Sequence, residues 1–390
     1  MYTFLLFYLF IIVKATIAGI CLQKQKPDQI RLAIAGINSV NVGWHSYACP
    51  FIDDNPNPTP KVKYGLSPAA LTSNSVNGKP STYNTKNFFT RTSWFYGVEL
   101  QDLQPRTLYY YQIVAMNNGL ASDIFSFTSP PALGDRSQPV KIAAYGDMGV
   151  DGLLGTLING VCLFERAVIA LQKMLPSIDF FLHHGDIGYA DTTPLLVLGK
   201  TYDQAMDEYQ MGMMNITNFP NAPSGNLLDT ETQVNWLKND LAAVNRSITP
   251  WIIVQCHRPW KGSIPIQTIF SGGIINCPQC KAAFEAILIQ YKVDIYFAGH
   301  VHWFERICPN GGMKTADYIN PDGPIYITNG AIGNPEGNEH VFQKSSDSCC
   351  LITDPGFGVL TLVNASHATF SFYRTSDLVE LDRINIIKAH

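Results

Sequence analysis

The chain has 390 residues, 46% hydrophobic and 15% charged, enough apolar material for one to three packed domains and too much for a disordered chain. A formal net charge of -4, a sequence pI near 6.1 and the lack of any Lys/Arg run exclude a polyanion-binding surface, so no nucleic-acid partner is expected.

Residues Tyr2 to Val13 are almost wholly apolar and lead into the small residues Ala15, Ala18 and Gly19, the pattern of a secretory leader, residues 1–18, cleaved near Ala18. No Lys or Arg precedes the run, which leaves an uncleaved anchor open, yet the stretch is shorter than the roughly 20 residues a spanning helix needs. No later segment reads as membrane-spanning. A secreted protein is therefore expected, extracellular or vacuolar/lysosomal, with no membrane attachment after cleavage. The sequons at Asn215, Asn245 and Asn364 and the nine cysteines fit that compartment. An odd count leaves at least one thiol unpaired, with Cys21 and Cys256 the candidates. Cys277 and Cys280 form a lone C-x-x-C. In an oxidising compartment it reads as a short-loop disulfide, or as two bridges to partners such as Cys308, Cys349 or Cys350.

From Gln29 to Thr128 short β-rich runs alternate with turns: Ile30 to Ile37, Val40 to Tyr47, Ser93 to Leu100 and Tyr109 to Met116. The pattern predicts a small antiparallel β-sandwich over residues 24–130. Leu103 to Tyr109 resembles the turn into a late strand of fibronectin type III domains, where a tyrosine corner closes the sheet. Tyr109, Tyr110 and Tyr111 are accordingly read as strand packing. A Pro/Gly linker, Ser129 to Asp135, follows. Beyond it the character changes to an α/β domain over residues 138–390, with a mixed sheet flanked by helices. Its β-type runs are Val140 to Tyr145, Phe180 to His184, Trp251 to Gln255, Val293 to Ala298 and Pro324 to Thr328. Helical stretches include Arg166 to Met174 and Val234 to Val244, and the tail adds strands at Val359 to Val363 and Ala368 to Tyr373.

Four of these runs end on a metal-binding side chain, where the loops of an open α/β sheet converge on one crevice. The exits are Gly146-Asp147-Met148-Gly149, Gly185-Asp186-Ile187-Gly188-Tyr189, Val254-Gln255-Cys256-His257 and Gly299-His300-Val301-His302. Any one of them alone is ordinary turn chemistry. Their coincidence is not. His300 and His302, two apart after a buried strand, are expected to point to the same side. Carboxylate, imidazole and phenolate donors suit iron, zinc or manganese, whereas calcium takes more oxygens and no imidazole. Two such ions about 4 Å apart clamp a phosphate and lower the pKa of a bound water.

Here the chain resembles the purple acid phosphatases, whose motifs run D-x-G, G-D-x-x-Y, G-N-H-[DE], V-x-x-H and G-H-x-H. Four of the five stand in this order. The likeness also takes in the sandwich domain, Asn235-Trp236-Leu237, His257-Arg258-Pro259-Trp260 and the tail after Gly356. It implies a calcineurin-like metallophosphoesterase domain with a binuclear centre. Asp147, Tyr189 and His302 would hold Fe(III), His257 and His300 a divalent Zn, Mn or Fe, and Asp186 would bridge the two. The implied activity is acid hydrolysis of small phosphate monoesters by a metal-bound hydroxide. A phosphodiesterase on the related scaffold would normally lack the iron-binding Tyr.

The G-N-H-[DE] motif belongs between Tyr189 and His257, and no Asn-His dipeptide occurs anywhere in the chain. Gly225-Asn226 continues with Leu227, and Gly337-Asn338-Glu339-His340 scrambles the order and lies after G-H-x-H, so both are set aside. Asp207-Glu208-Tyr209 resembles the stretch before the motif and Asn218 to Pro223 one well after it, which places a missing segment near Thr217. The loss removes the catalytic His and an Asn ligand of the divalent ion, and it is expected to expose apolar surface and unpaired strand edges. The alternative reading is thus a catalytically impaired or inactive splice or gene-model form, acting if at all as a secreted metal-binding or interaction protein.

Overall fold

The structure is a computed structural model that describes residues 26–47, 59–75, 81–82, 93–114, 120–150, 160–189, 230–266, 277–308 and 317–388. The leader 1–18, Cys21, the Asn215 sequon, and the stretches around Thr217 and Gly225 lie outside them. No helix among the described residues is long and apolar enough to cross a membrane. Contacts divide the chain into two units after Ala132.

Among the described residues the first unit holds eight strands: β1 (Asp28–Gly36), β2 (Ser39–Tyr47), β3 (Val62–Gly65), β4 (Ser73–Ser75), β5 (Ser81–Thr82), β6 (Ser93–Leu100), β7 (Leu108–Ile113) and β8 (Phe125–Thr128). They form two antiparallel sheets, β1-β2-β6-β5 and β4-β3-β7-β8. Period-two alternation sets the core: Tyr109, Tyr111 and Ile113 of β7 are buried while their neighbours are not. Cross-strand pairs fix the register, Trp44 stacking on Tyr96 at 5.4 Å between ring centroids and Tyr109 on Phe127 at 5.9 Å. The Gln104 N–H donates to the Tyr109 hydroxyl at 3.0 Å, the tyrosine corner that the turn sequence suggested.

The second unit is built on two sheets. One has the order β11-β9-β21-β22-β23-β17, from β9 (Val140–Tyr145), β11 (Phe180–His183), β17 (Asp317–Ile319), β21 (Gly356–Leu362), β22 (His367–Arg374) and β23 (Glu380–Ile387). The other runs β13-β15-β18-β16-β20, from β13 (Ile253–Gln255), β15 (Ile295–Ala298), β16 (Phe304–Ile307), β18 (Ile325–Asn329) and β20 (Ser348–Ile352). The parallel partners β13, β15 and β18 and the pair β9 and β11 carry near-continuous apolar runs, as strands covered on both faces require. Both sheets give side chains to one core: Ile142, Leu360, Phe370, Phe372 and Ile384 from the first, Ile295, Phe297, Phe304 and Ile327 from the second. Phe304 stacks on Phe372 at 4.3 Å across it. The bidentate Arg306–Asp382 pair (2.9 and 3.0 Å) joins β16 to β23 inside this core.

Helix α1 (Leu163–Met174) buries Leu163, Phe164, Ala167, Val168, Ala170 and Leu171, a one-sided stripe, with Glu165 in its first turn and Lys173 in its last. Helices α2 (Thr230–Ala243) and α3 (Pro278–Gln290) give Leu237, Leu241, Ile287 and Leu288 to a second core on Tyr296, Ala298 and Tyr326 of the five-stranded sheet. Cys277 is the N-cap of α3 and is bonded to Cys280, so the short-loop option is the one realised, while Cys308 pairs with Cys349. Cys256 and Cys350 are free thiols among the described residues. The tail contributes three strands rather than the two expected, the third being β23. Four shorter strands complete the unit: β10 (Met148–Gly149), β12 (Ile187–Gly188), β14 (Ile264–Pro265) and β19 (Val341–Gln343).

Candidate metal centre

The site lies at the carboxyl ends of β9, β11, β13 and β15, and hydrogen bonds between the exits fix it. The two exits of the first sheet run side by side: Asp147 N–H donates to Gly185 O at 3.1 Å, and β10 pairs in parallel with β12. Asp147 and Tyr189 are thereby brought together. In the second sheet Gly299 N–H donates to His257 O at 2.9 Å. The sheets are tied to each other by Gly146 N–H to Asn329 O (2.8 Å) and by His300 N–H to Asp147 Oδ2 (2.8 Å).

The backbone at these exits is unusual. Asp147, Asp186, Tyr189 and His300 have φ of 62°, 47°, 52° and 68°, in the left-handed region that costs an ordinary residue of order 1 kcal/mol or more. Such conformations persist where the surroundings over-determine them, and here they gather on the residues that the strand exits single out. Glycine is required next to them. Gly185 has φ +97° and a Cβ there would approach His257 Nδ1 to 2.7 Å, while a Cβ on Gly299 would collide with Asp147 Oδ2.

The six side chains gather in two sets. In the first, the Tyr189 hydroxyl donates to Asp147 Oδ1 at 3.0 Å and lies 2.9 Å from His302 Nε2, which is 3.6 Å from the same carboxylate oxygen. Donor atoms held about 2.0–2.2 Å from one ion lie about 3 Å apart, so this spacing fits a shared cation. All three side chains are buried. Burial and the Asp147 carboxylate push the Tyr189 phenol far up, so it stays protonated unless a strong cation replaces its proton. Burial acts to lower the His302 pKa, but the hydrogen bond and charge of Asp147, with Glu339 and Glu336 behind them, overrule it and push it up to about 9. Protons thus hold the places a cation would take. His302 Nδ1 donates to Gly337 O at 3.2 Å, which leaves Nε2 as the ligand atom.

In the second set, ligand atoms of Asp186, His257 and His300 all lie within 4.8 Å of one another. His257 Nε2 is 3.2 Å from Asp186 Oδ1, and its Nδ1 donates to His184 O at 3.0 Å. The rings of His257 and His300 meet at 5.0 Å. Burial, with Arg258 and His257 adding like charge, lowers His300 to about 4 and keeps its imidazole neutral and available. For Asp186 burial acts upward, but hydrogen bonding and charge from His257, then His300 and His302, hold the carboxyl below its ordinary value.

His300 and His302 do not share a side by strand alternation. Residues 300–303 are bends rather than strand, and with the positive φ at His300 the two imidazoles enter different sets. His184 is buried in the packing layer, stacked on Phe297 at 5.0 Å. One neighbourhood was missed in the sequence: the loop from Gly333 to Glu339, which overlaps the Gly337-Asn338-Glu339-His340 stretch set aside as a scrambled motif, packs against His302 through Gly337, Glu336 and Glu339. Its clustered Gly, Asn and Glu were the only signal.

Known proteins match over nearly the whole chain. Residues 27–129 match the family model described as "Purple acid Phosphatase, N-terminal domain", 195–304 "Calcineurin-like phosphoesterase", and 323–383 "Iron/zinc purple acid phosphatase-like protein C". Acid phosphatase A of Cryphonectria parasitica is 28% identical over 489 aligned positions, covering 93% of this chain and 92% of that protein. Purple acid phosphatase 21 of Arabidopsis thaliana is 27% identical, covering 90% and 82%. A purple acid phosphatase from yellow lupin seeds (Lupinus luteus) superposes with a TM-score of 0.77 at 19% identity, over 94% of this chain and 75% of that one.

Proposed function

Because the chain belongs to the purple acid phosphatase family, a family of phosphoester hydrolases, we propose that it is a secreted acid phosphatase acting on small phosphate monoesters at a binuclear centre. Asp147, Tyr189 and His302 would hold ferric iron, His257 and His300 would hold a divalent Zn, Mn or Fe, and Asp186 would be shared between the two. The observation that carries the reading is the convergence of the Asp147, Tyr189 and His302 donor atoms to 2.9–3.6 Å in a buried pocket beside the Asp186, His257 and His300 set. When bound, the two cations supply Lewis acidity toward a phosphate and the means of ionising water near pH 7. The protein's own work is orientation. His184 O fixes the His257 tautomer, Gly337 O fixes that of His302, and the His300 peptide N–H orients the Asp147 carboxylate.

A second reading, that this chain is catalytically impaired, is favoured by two observations. No Asn-His pair exists to supply the leaving-group acid. Among the described residues, β11 and β13, which flank the interval near Thr217, are each paired on one side only. Losing a general acid costs about 10²–10⁴-fold in rate, and most for esters with a basic leaving group. Expression of this chain and of one with the segment restored, assayed on para-nitrophenyl phosphate and an alkyl phosphate, tests both readings. The restored chain is expected to gain far more on the alkyl ester. Equal gain on both esters would remove the missing acid from the account, and no hydrolysis by either chain would remove the phosphatase assignment.

The two disulfides support an oxidising compartment. Asn245 and Asn364 are exposed, and each presents its Oδ1 to the sequon serine hydroxyl, at 2.7 and 3.1 Å, which leaves the amide nitrogen open for a glycan. The mass of the secreted protein is expected to fall on treatment with an N-glycosidase, and an unchanged mass would count against both sites.

A further inference from the structure

Behind the first ligand set lies a second carboxylate that the centre does not use. Glu339 is 9% exposed, and its Oε2 has no hydrogen-bond partner among the described residues. Its N–H donates to His302 O at 3.2 Å, and the main chain of His302 also acts on its carboxyl, so Glu339 is tied to the backbone of that residue. The rest of the loop is braced to keep it there. Gly149 N–H donates to Gly333 O at 3.0 Å, Glu336 N–H to Asn334 Oδ1 at 2.9 Å, and Gly337 N–H to Asn334 O at 3.1 Å.

Burying a carboxylate that is only partly hydrogen-bonded costs several kcal/mol in general, and Glu is seldom buried without a compensating charge. A glutamine would make the same main-chain contacts without that cost. The charge is compensated only by a cation nearby, the His302 imidazolium or a metal ion that takes its proton's place, and Asp147, Tyr189 and Glu339 all surround the same imidazole. The geometry points to Glu339 as a positioning residue for His302, one that aligns the imidazole and supplies negative charge to a cation bound by Asp147, Tyr189 and His302. This inference rests on the metal-centre reading above. Glu336, whose carboxylate is 3.8 Å from His302 Nδ1 and more exposed, plays a weaker part.

The test uses Glu339→Gln in the full chain, with iron affinity, the visible absorbance band, and thermal unfolding of the metal-free and iron-loaded forms as readouts. Outer partners of metal ligands typically contribute 10–100-fold in metal affinity, and a loss in that range with a shifted or weakened band is expected. The metal-free variant should unfold close to the parent, since glutamine keeps the main-chain contacts, whereas the loaded variant should unfold clearly earlier. A merely structural contact would lower both melting points alike, and that result, or an unchanged iron affinity, overturns the inference while leaving the metal centre standing. A parent chain that takes up no iron overturns the metal centre, and this inference with it.

Discussion

The two halves of the candidate centre are built from the same kinds of residue and differ in their surroundings. Asp147, Tyr189 and His302 are 0–6% exposed, and the Gly333–Glu339 loop packs against them. The Asp186 and His257 side chains are 45% and 27% exposed, and they follow β11 and β13, each an edge strand of its sheet among the described residues. The closed half draws its support from elements the chain retains. Binding strength should follow that difference, with iron held firmly and the divalent ion loosely.

The largest effects should come from ligand substitutions that set one half against the other. His302→Ala is expected to lose iron, colour and activity together, a rate loss of about 10³-fold or more given the several kcal/mol a Lewis acid supplies. His257→Ala is expected to keep iron and colour while losing the divalent ion. Metal analysis and absorbance spectra separate these outcomes, and loss of iron in both variants would break the comparison.

The scaffold under both halves depends on Arg306, which is 5% exposed and joins the sheets through Asp382. Removing one partner of a buried ion pair costs about 3–5 kcal/mol, so Arg306→Ala should lower stability by that order in urea unfolding. A change below 1 kcal/mol would show that the pair adds little to the packing of Phe304 on Phe372.

A smaller effect is a pH signature of the closed half. His302 is pushed up to about 9 in the metal-free fold, against an ordinary 6.5, chiefly by Asp147 overcoming burial. A raised histidine stabilises the fold fully below about pH 6.5 and loses that contribution as pH rises through about 9. Metal-free protein should therefore melt progressively earlier over that window. Iron-loaded protein should not follow it, because the cation then occupies Nε2. Parallel curves would mean that the His302 proton and the ion do not compete.

Least disruptive of all, Tyr189→Phe keeps the ring and removes the phenol, so the visible band should vanish while the melting point moves by about 1 kcal/mol or less. A persisting band would remove Tyr189 from the ligand set.

Much of this was legible in the sequence because strand exits punctuated by glycine are local signals. The run Val140 to Tyr145 is β9 to the residue, and Ser93 to Leu100 is β6. Other features depend on partners far away in the chain. Helix α3 is apolar around most of its circumference, as Ala282, Ala283, Phe284, Ile287, Leu288 and Ile289 show, and so lacks the one-sided stripe of α1. Strand β16 carries Glu305 and Arg306, charged residues that read as surface until Ser263 and Asp382 are brought against them. The role of Glu339 is hidden for the same reason, since His302 lies 37 residues earlier and meets it only through the loop after β18. The divergence of His300 from His302 turns on a single positive φ, which no residue pattern announces.

The unequal halves can be weighed directly by counting metals. Purified chain loaded with iron and zinc and then dialysed against a mild chelator should retain about one iron per chain with its visible band, and lose most of the zinc. Restoring the missing segment should raise zinc retention to match iron. Two metals retained equally by the present chain, or zinc held in preference to iron, would contradict the account.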